Sequence, residues 1–239
     1  MKTEKTGKSS DNNQMEKMFE AGAHYAYTRT KRHPSAKPFL FGVKNGVEIF
    51  DLEKTILSLK EALKFVQALF AEGKKQILFV GSKSEIKDIV KEIAEGIEMP
   101  NVTNRWVGGT LTNFDLIKKR VEKYQKLLED KESGALLKYT KKERGRIDKE
   151  IEKMERKFAG IALLKTLPVA LFVVDPKYET IAVEEAKKKN IPIIALANSD
   201  CDIRKIDYPI SANDTARASV RLFANEIASV CHCAPQDKK

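Results

Sequence analysis

The sequence predicts an α/β protein with a doubly wound parallel sheet and an inserted antiparallel coiled-coil helical hairpin. Three observations carry that expectation. Short, almost uninterrupted apolar runs at 76–80, 169–174 and 191–197 suit strands covered on both faces. Stretches with apolar residues three and four apart stand between them, the spacing of helices that lay one face on a sheet. Between 112 and 160 this alternation stops, and two longer helical periods follow one another with no strand between them.

From the N-terminus, residues 1–14 are polar and lysine-containing and are expected to form a tail outside the domain. Two apolar runs around Asn45-Gly46 predict a β-hairpin over 38–50, because that dipeptide reaches positive φ at low cost and suits a type I′ turn. Asp51 then stands where a helix N-cap belongs. Leu52, Ile56, Leu59, Leu63 and Val66 give that helix one apolar stripe, and Gly73 closes it. The strand at 76–80 leads through 81–83 into a helix with Ile86, Ile89, Val90 and Ile93 on one face. Later, the strand at 169–174, a helix over 178–189 and the strand at 191–197 form a second unit of the same kind, followed by a short strand at 208–210 and a helix over 213–230. The sum is a flavodoxin-like sheet, with 15–111 and 160–230 as the α/β domain, 112–159 as the insertion and 231–239 as a C-terminal tail.

The insertion reads as a hairpin for reasons of its own. Thr112 with Asp115, and Thr140 with Glu143, have the spacing of capping boxes. Phe114, Ile117, Val121 and Tyr124 line one seam, Ile147, Ile151, Met154 and Phe158 the other, and Gly134 marks the junction. So narrow a stripe leaves little to bury in the main domain, and the pair is expected to protrude. Its outer faces carry many cations, Lys118, Lys119, Arg120 and Lys123 among them.

With 239 residues, 42% hydrophobic and 33% charged, the chain suits one sizeable core. Its formal net charge is +10, and the stretch 21–47 holds Arg29, Lys31, Arg32, Lys37 and Lys44 with no acid at all, which points to an anionic partner. The first 14 residues lack the apolar core of a secretory signal, and no apolar run approaches the ~20 residues of a membrane span, so a membrane is not expected as a partner. Three cysteines, an odd number, fit a reducing compartment better than a disulfide framework.

The most informative stretch is 104–114, N-R-W-V-G-G-T-L-T-N-F, which puts the single tryptophan, Trp106, beside Arg105, Gly108, Gly109, Thr110, Thr112 and Asn113. Indole and guanidinium planes stack on bases or sugars, a glycine pair lets backbone approach a phosphate, and the hydroxyls and amide offer hydrogen bonds. A glycine turn with one core tryptophan accounts equally well for the residue types.

The string itself closely resembles the N-R-W-L-G-G-x-L-T-N-F signature of the bacterial small-subunit ribosomal protein S2 family. The resemblance runs in order from about Met15 to Phe223. Gly22, His24, Pro34, Lys37, Pro38, Phe41, Gly42, Asn45 and Gly46, then Asp51 to Thr55, are similar to the family's N-terminal pattern; the L-F-V-V-D-P run at 171–176 and 210–216 are similar to its later motifs. Where many relatives have G-H-Q-T-R-x-W-N-P, this chain has Arg32 in place of an aromatic, and 231–239 has no counterpart. The resemblance implies a non-enzymatic, ribosome-bound cytoplasmic protein that binds small-subunit rRNA; charge and residue type point to Arg29, Lys31, Arg32, Lys37, Lys44, Lys83, Arg105, Trp106, Gly108, Thr110, Asn113, Lys118 and Lys119 as the contacts. It also implies neighbouring small-subunit ribosomal proteins as partners, ribosomal protein S1 as a further one, and a hairpin that helps dock the chain. No cofactor and no small-molecule substrate are implied.

Other residues carry chemical signals of their own. Gly81-Ser82-Lys83-Ser84 lies between a strand and a helix, where α/β folds hold phosphate, yet it matches neither nucleotide-binding glycine pattern. Asp175, Asp200, Asp202, Asp207 and Asp214 fall where strand ends are expected and, with that loop, make a phosphate-handling enzyme the alternative from another class; a protein-binding hairpin is a third. The histidines stand far from these acids in sequence, and turns and caps explain them more simply. Cys201, Cys231, His232 and Cys233 are zinc-type ligands at poor spacing, and reduced, unliganded cysteines are the favoured reading.

Overall fold

The computed structural model describes residues 3–71, 73 and 75–232. Helix α1 spans Thr3–Glu20, so the segment expected as a polar tail is helical in its backbone from Thr3 onward. Its last turns are anchored because Met18 is fully buried and Met15 packs beside Leu52 against the same core. Strand β1 (Tyr25–Thr28) follows, within the stretch the sequence suggested was only a basic arm. It lies antiparallel to β3 (Val47–Phe50), which also pairs with β2 (Leu40–Lys44). The β2–β3 turn is the one expected: Asn45 and Gly46 have φ of 52° and 80°, both in the left-handed region that a type I′ turn requires.

Asp51 caps α2 (Leu52–Ala71), its carboxylate accepting from the Glu53 amide at 3.1 Å. Then come β4 (Ile77–Val80), α3 (Lys87–Gly96) and β5 (Asn101–Val102). After the long insertion the chain returns through β6 (Ala170–Val174). The insertion itself holds α4 (Phe114–Glu132) and α5 (Lys141–Phe158). Beyond β6, α6 (Thr180–Lys188), β7 (Ile193–Ala197), β8 (Tyr208–Ser211) and α7 (Arg217–His232) complete the chain. The main sheet has the order β5-β4-β6-β7-β8 with every neighbouring pair parallel. Counted from β4, that is the 2-1-3-4-5 order of flavodoxin-like folds.

Alternate side chains of each strand feed two separate apolar layers, as a pleated sheet covered on both faces requires. Ile77, Phe79, Phe172, Ile194 and Leu196 pack with α2, α3 and α7. Leu78, Val80, Leu171, Val173 and Ile193 pack on the other face with α6, Trp106 and the α4–α5 pair. The two inserted helices therefore do not stand clear of the domain along their whole length. Ile117, Val121, Tyr124, Ile151 and Phe158 are buried in that second layer, whereas Leu127, Leu128, Ile147 and Met154 are only partly covered and Tyr139 is 40% exposed. Ion pairs between Lys123 and Glu150 (2.6 Å) and between Lys131 and Asp148 (2.8 Å) join the helices on the surface.

One expected capping box forms and one does not. Thr140 and Glu143 satisfy each other reciprocally at the start of α5. At α4 the N-cap is Asn113 with no side-chain cap bond, and the Thr112 hydroxyl is used elsewhere.

Candidate nucleic-acid interface

The loop between β5 and α4 is built around a carboxylate that the sequence did not single out. Glu185, on the inward side of α6 among buried Ala182, Val183 and Ala186, is itself 6% exposed. Its Oε1 accepts from Trp106 Nε1 at 3.2 Å and from the Gly109 amide at 2.7 Å. Its Oε2 accepts from the Leu111 amide at 3.0 Å, the Thr112 amide at 3.1 Å and the Thr112 hydroxyl at 3.2 Å. Burial works to raise the Glu185 pKa, but the Gly109, Leu111 and Thr112 amides and the Trp106 indole outweigh it and hold the carboxyl below its ordinary range. The glycine that the turn needs is Gly109, at φ 92°, which aims its N–H at Glu185.

This arrangement divides the predicted loop residues into two groups. Trp106 (7% exposed) and Thr110 (1%) face inward, with the indole on Glu185 and the Thr110 hydroxyl on the Val107 carbonyl. Their side chains are unavailable for stacking or base contact. Arg105, Gly108 and Asn113 face solvent, as do Lys118 and Lys119 on the first turns of α4. Asn104 ties the loop to the end of α5 by donating to the Arg156 carbonyl at 3.0 Å.

The basic stretch crosses the carboxyl edge of the main sheet. Tyr27 N donates to Ser199 Oγ at 3.2 Å and His33 N to the Ser199 carbonyl at 2.8 Å, so the loop after β7 holds it in place. Arg29, Lys31, Lys37 and Lys44 are exposed, and Lys31 Nζ lies 5.3 Å from the centre of the Tyr27 ring. Arg32 departs from the expectation: its guanidinium pairs at 2.8 Å with Glu48, whose side chain is 1% exposed, because a buried carboxylate on β3 demands a counter-charge. Ala36 and Trp106 share one apolar layer, whereas Ala23, at the start of the basic stretch, packs in the other.

Lys83 departs from the expectation too. It reaches into the strand-end acids and forms an ion pair with Asp175, which is buried and has φ 59°. Burial alone would lower the Lys83 pKa, but Asp214 and Asp175 outweigh it and raise it. Asp214 is fully enclosed; burial, then the neighbouring Asp175, push its carboxyl up to about 7 against the pull of Lys83 and Asn198. The turn where a phosphate would sit carries an internal anion instead, since Glu179 accepts from the Ser82 amide at 2.8 Å and from the Ser82 hydroxyl. His33 lies 2.7 Å from its neighbour Ser35, and the fold brings it within 3.8 Å of Asp202, a meeting that sequence distance concealed. Both contacts use Nδ1, so the ring does not relay a proton from Ser35 to Asp202.

Among the zinc-type residues, Cys201 and Cys231 do not converge. Cys201 is buried in the layer with α6, its thiol donating to the Asn198 carbonyl at 3.2 Å, and Cys231 is buried in the layer on the opposite face of the sheet. Cys233 lies outside the described residues. Among the described residues, no group of three or more His, Cys, Asp or Glu is placed to hold a metal ion, and no helix is long and apolar enough to cross a membrane.

Fold and surface together define a flavodoxin-type α/β protein with solvent-facing cations, a loop braced from within by Glu185, and Asp175 paired with Lys83 at the strand ends. The chain belongs to the ribosomal protein S2 family, whose model matches residues 18–233. It is 42% identical over 214 residues to the small ribosomal subunit protein uS2 of Desulforapulum autotrophicum, covering 90% of this chain and 76% of that one. To the protein of the same description from Coprothermobacter proteolyticus it is 41% identical over 214 residues, covering 90% and 80%. The family is one of ribosomal structural proteins.

Proposed function

We propose that this chain is a structural constituent of the small ribosomal subunit that binds small-subunit rRNA and neighbouring ribosomal proteins. Family membership carries the ribosomal part of this reading. The RNA-binding part rests on one observation: solvent-facing Arg29, Lys31, Lys37 and Lys44 in a segment without acids, pinned across the carboxyl edge of the sheet by Ser199. These cations neutralise phosphates. Lys118 and Lys119 extend the charge along α4, and Arg105, Gly108 and Asn113 meet the RNA by shape, the usual mode for A-form backbone. Trp106, Thr110 and Lys83 act behind the surface, each committed to a partner inside the protein, and half-buried Arg32 is committed to Glu48. The α4–α5 pair acts as an antiparallel coiled coil whose less covered end reaches toward neighbouring proteins, ribosomal protein S1 being one candidate.

The test is equilibrium binding of the full chain to small-subunit rRNA across a salt series. Affinity should fall linearly in log–log form, and each of Arg29→Gln, Lys31→Gln, Lys37→Gln and Lys44→Gln should reduce the salt slope by about 1. Affinity that is flat with salt, or slopes unmoved by all four substitutions, would refute the phosphate-contact reading.

A further inference from the structure

Five hydrogen bonds converge on Glu185, and their donors span residues 106–112. The exposed Arg105 and Asn113 stand immediately on either side of that clamped segment, and exposed Gly108 lies inside it. Where those three point is thus set by a carboxylate on α6 that never reaches the surface. We infer that Glu185 is a positioning residue for RNA recognition, holding the 105–113 loop in the shape that rRNA meets. This inference rests on the rRNA-binding reading above.

The chemistry of the clamp makes the ionised carboxylate specific. Every group facing Glu185 is a donor, four N–H and one O–H, and each carboxylate oxygen takes at least two of them. An amide of the same size keeps one acceptor and turns an NH2 group toward donors. In Glu185→Gln one side of the loop, either Trp106 with Gly109 or Leu111 with Thr112, therefore loses its acceptor. The direction of the effect separates positioning from simple charge. Removing a negative charge beneath a phosphate-binding face tightens RNA binding by Coulomb's law, whereas loss of positioning weakens it.

The experiment measures affinity of the full chain for naked small-subunit rRNA across a salt series, comparing wild type, Glu185→Gln, Glu185→Asp and Arg105→Glu. Positioning predicts that Glu185→Gln binds about tenfold more weakly with a salt slope reduced by about 1. Where the amide NH2 turns toward Trp106 and Gly109, emission from Trp106, the single tryptophan, should move away from the wild-type wavelength as the indole loses its acceptor. Glu185→Asp keeps the charge but withdraws the carboxylate, and it should also weaken binding; it decides the matter if Glu185→Gln fails to fold. Wild-type or tighter binding by both Glu185 variants, with Arg105→Glu strongly weakened, overturns the positioning role and leaves the RNA interface standing. No loss from Arg105→Glu shows that the loop does not touch RNA, and the interface reading fails there with the inference.

Discussion

Two glycines at opposite ends of one helix should respond to alanine in opposite directions. Gly160 lies in the short 3-10 turn Ala159–Ile161 that leads out of α5, directly beneath β5. A Cβ there would collide with the Asn101 backbone carbonyl oxygen and crowd its side-chain oxygen. The nearer atom is backbone in a strand paired to β4, so no rotamer change relieves the clash and either the turn or the strand must move. Overpacking of this kind costs about 1–3 kcal/mol. At about 2–4 °C per kcal/mol for a chain of this size, Gly160→Ala should lower Tm by roughly 2–12 °C. Gly145, inside α5, has no heavy atom within 4 Å of its would-be Cβ, and helix propensity favours alanine there by about 1 kcal/mol. Gly145→Ala should therefore raise Tm by about 2–4 °C. Paired calorimetric scans of the two variants test this. Equal shifts, or a Gly160→Ala scan within about 1 °C of wild type, would refute the claim that the α5 exit is locked against β5.

Three further outcomes follow from buried charge and capping. Because the folded state raises the Asp214 carboxyl from 3.8 to about 7, the stability this group contributes is full below pH 3.8 and is lost as pH rises through about 7. Asp214→Asn should therefore gain Tm on wild type at pH 8 relative to pH 5.5, and parallel melting curves of the two proteins over that range would contradict the assignment. Arg32→Met strands Glu48 without its cation and should cost about 3 kcal/mol, the low end for breaking a buried pair since Arg32 keeps contact with water. Chemical denaturation should show much of that loss recovered in the Arg32→Met, Glu48→Gln double variant, and additive losses would argue against the pair. Thr140→Ala removes the hydroxyl half of a capping box while the residue-140 amide still donates to Glu143, and should cost about 1 kcal/mol, read as loss of α5 helicity and of Tm.

Much of this architecture was legible in the sequence, and the failures have physical causes. The strands β4, β6 and β7 announce themselves because burial on both faces leaves no polar position in them. The Asn45-Gly46 turn and the Thr140 box are local devices, complete within a few residues. By contrast β5 is two residues long and β1 four, too short for any period to show. Thr112 resembles half of a capping box in sequence, but a tertiary partner, Glu185, takes its hydroxyl. Arg32 and Lys83 look like free surface cations until β3 and β6 bring buried carboxylates beside them. Glu185 sits beside Glu184 in an ordinary helical run, and local composition does not distinguish them. The available signal was phase: Glu185 shares the inward face of α6 with Ala182 and Ala186, while Glu184 points to solvent.

The assignment to the small subunit is tested most directly by sedimentation of the tagged full chain with ribosomes from its own cells, on sucrose gradients at low and moderate salt. Stoichiometric migration with the small subunit that survives the moderate-salt wash is the result predicted here. A chain that stays at the top of the gradient in both salts would contradict it.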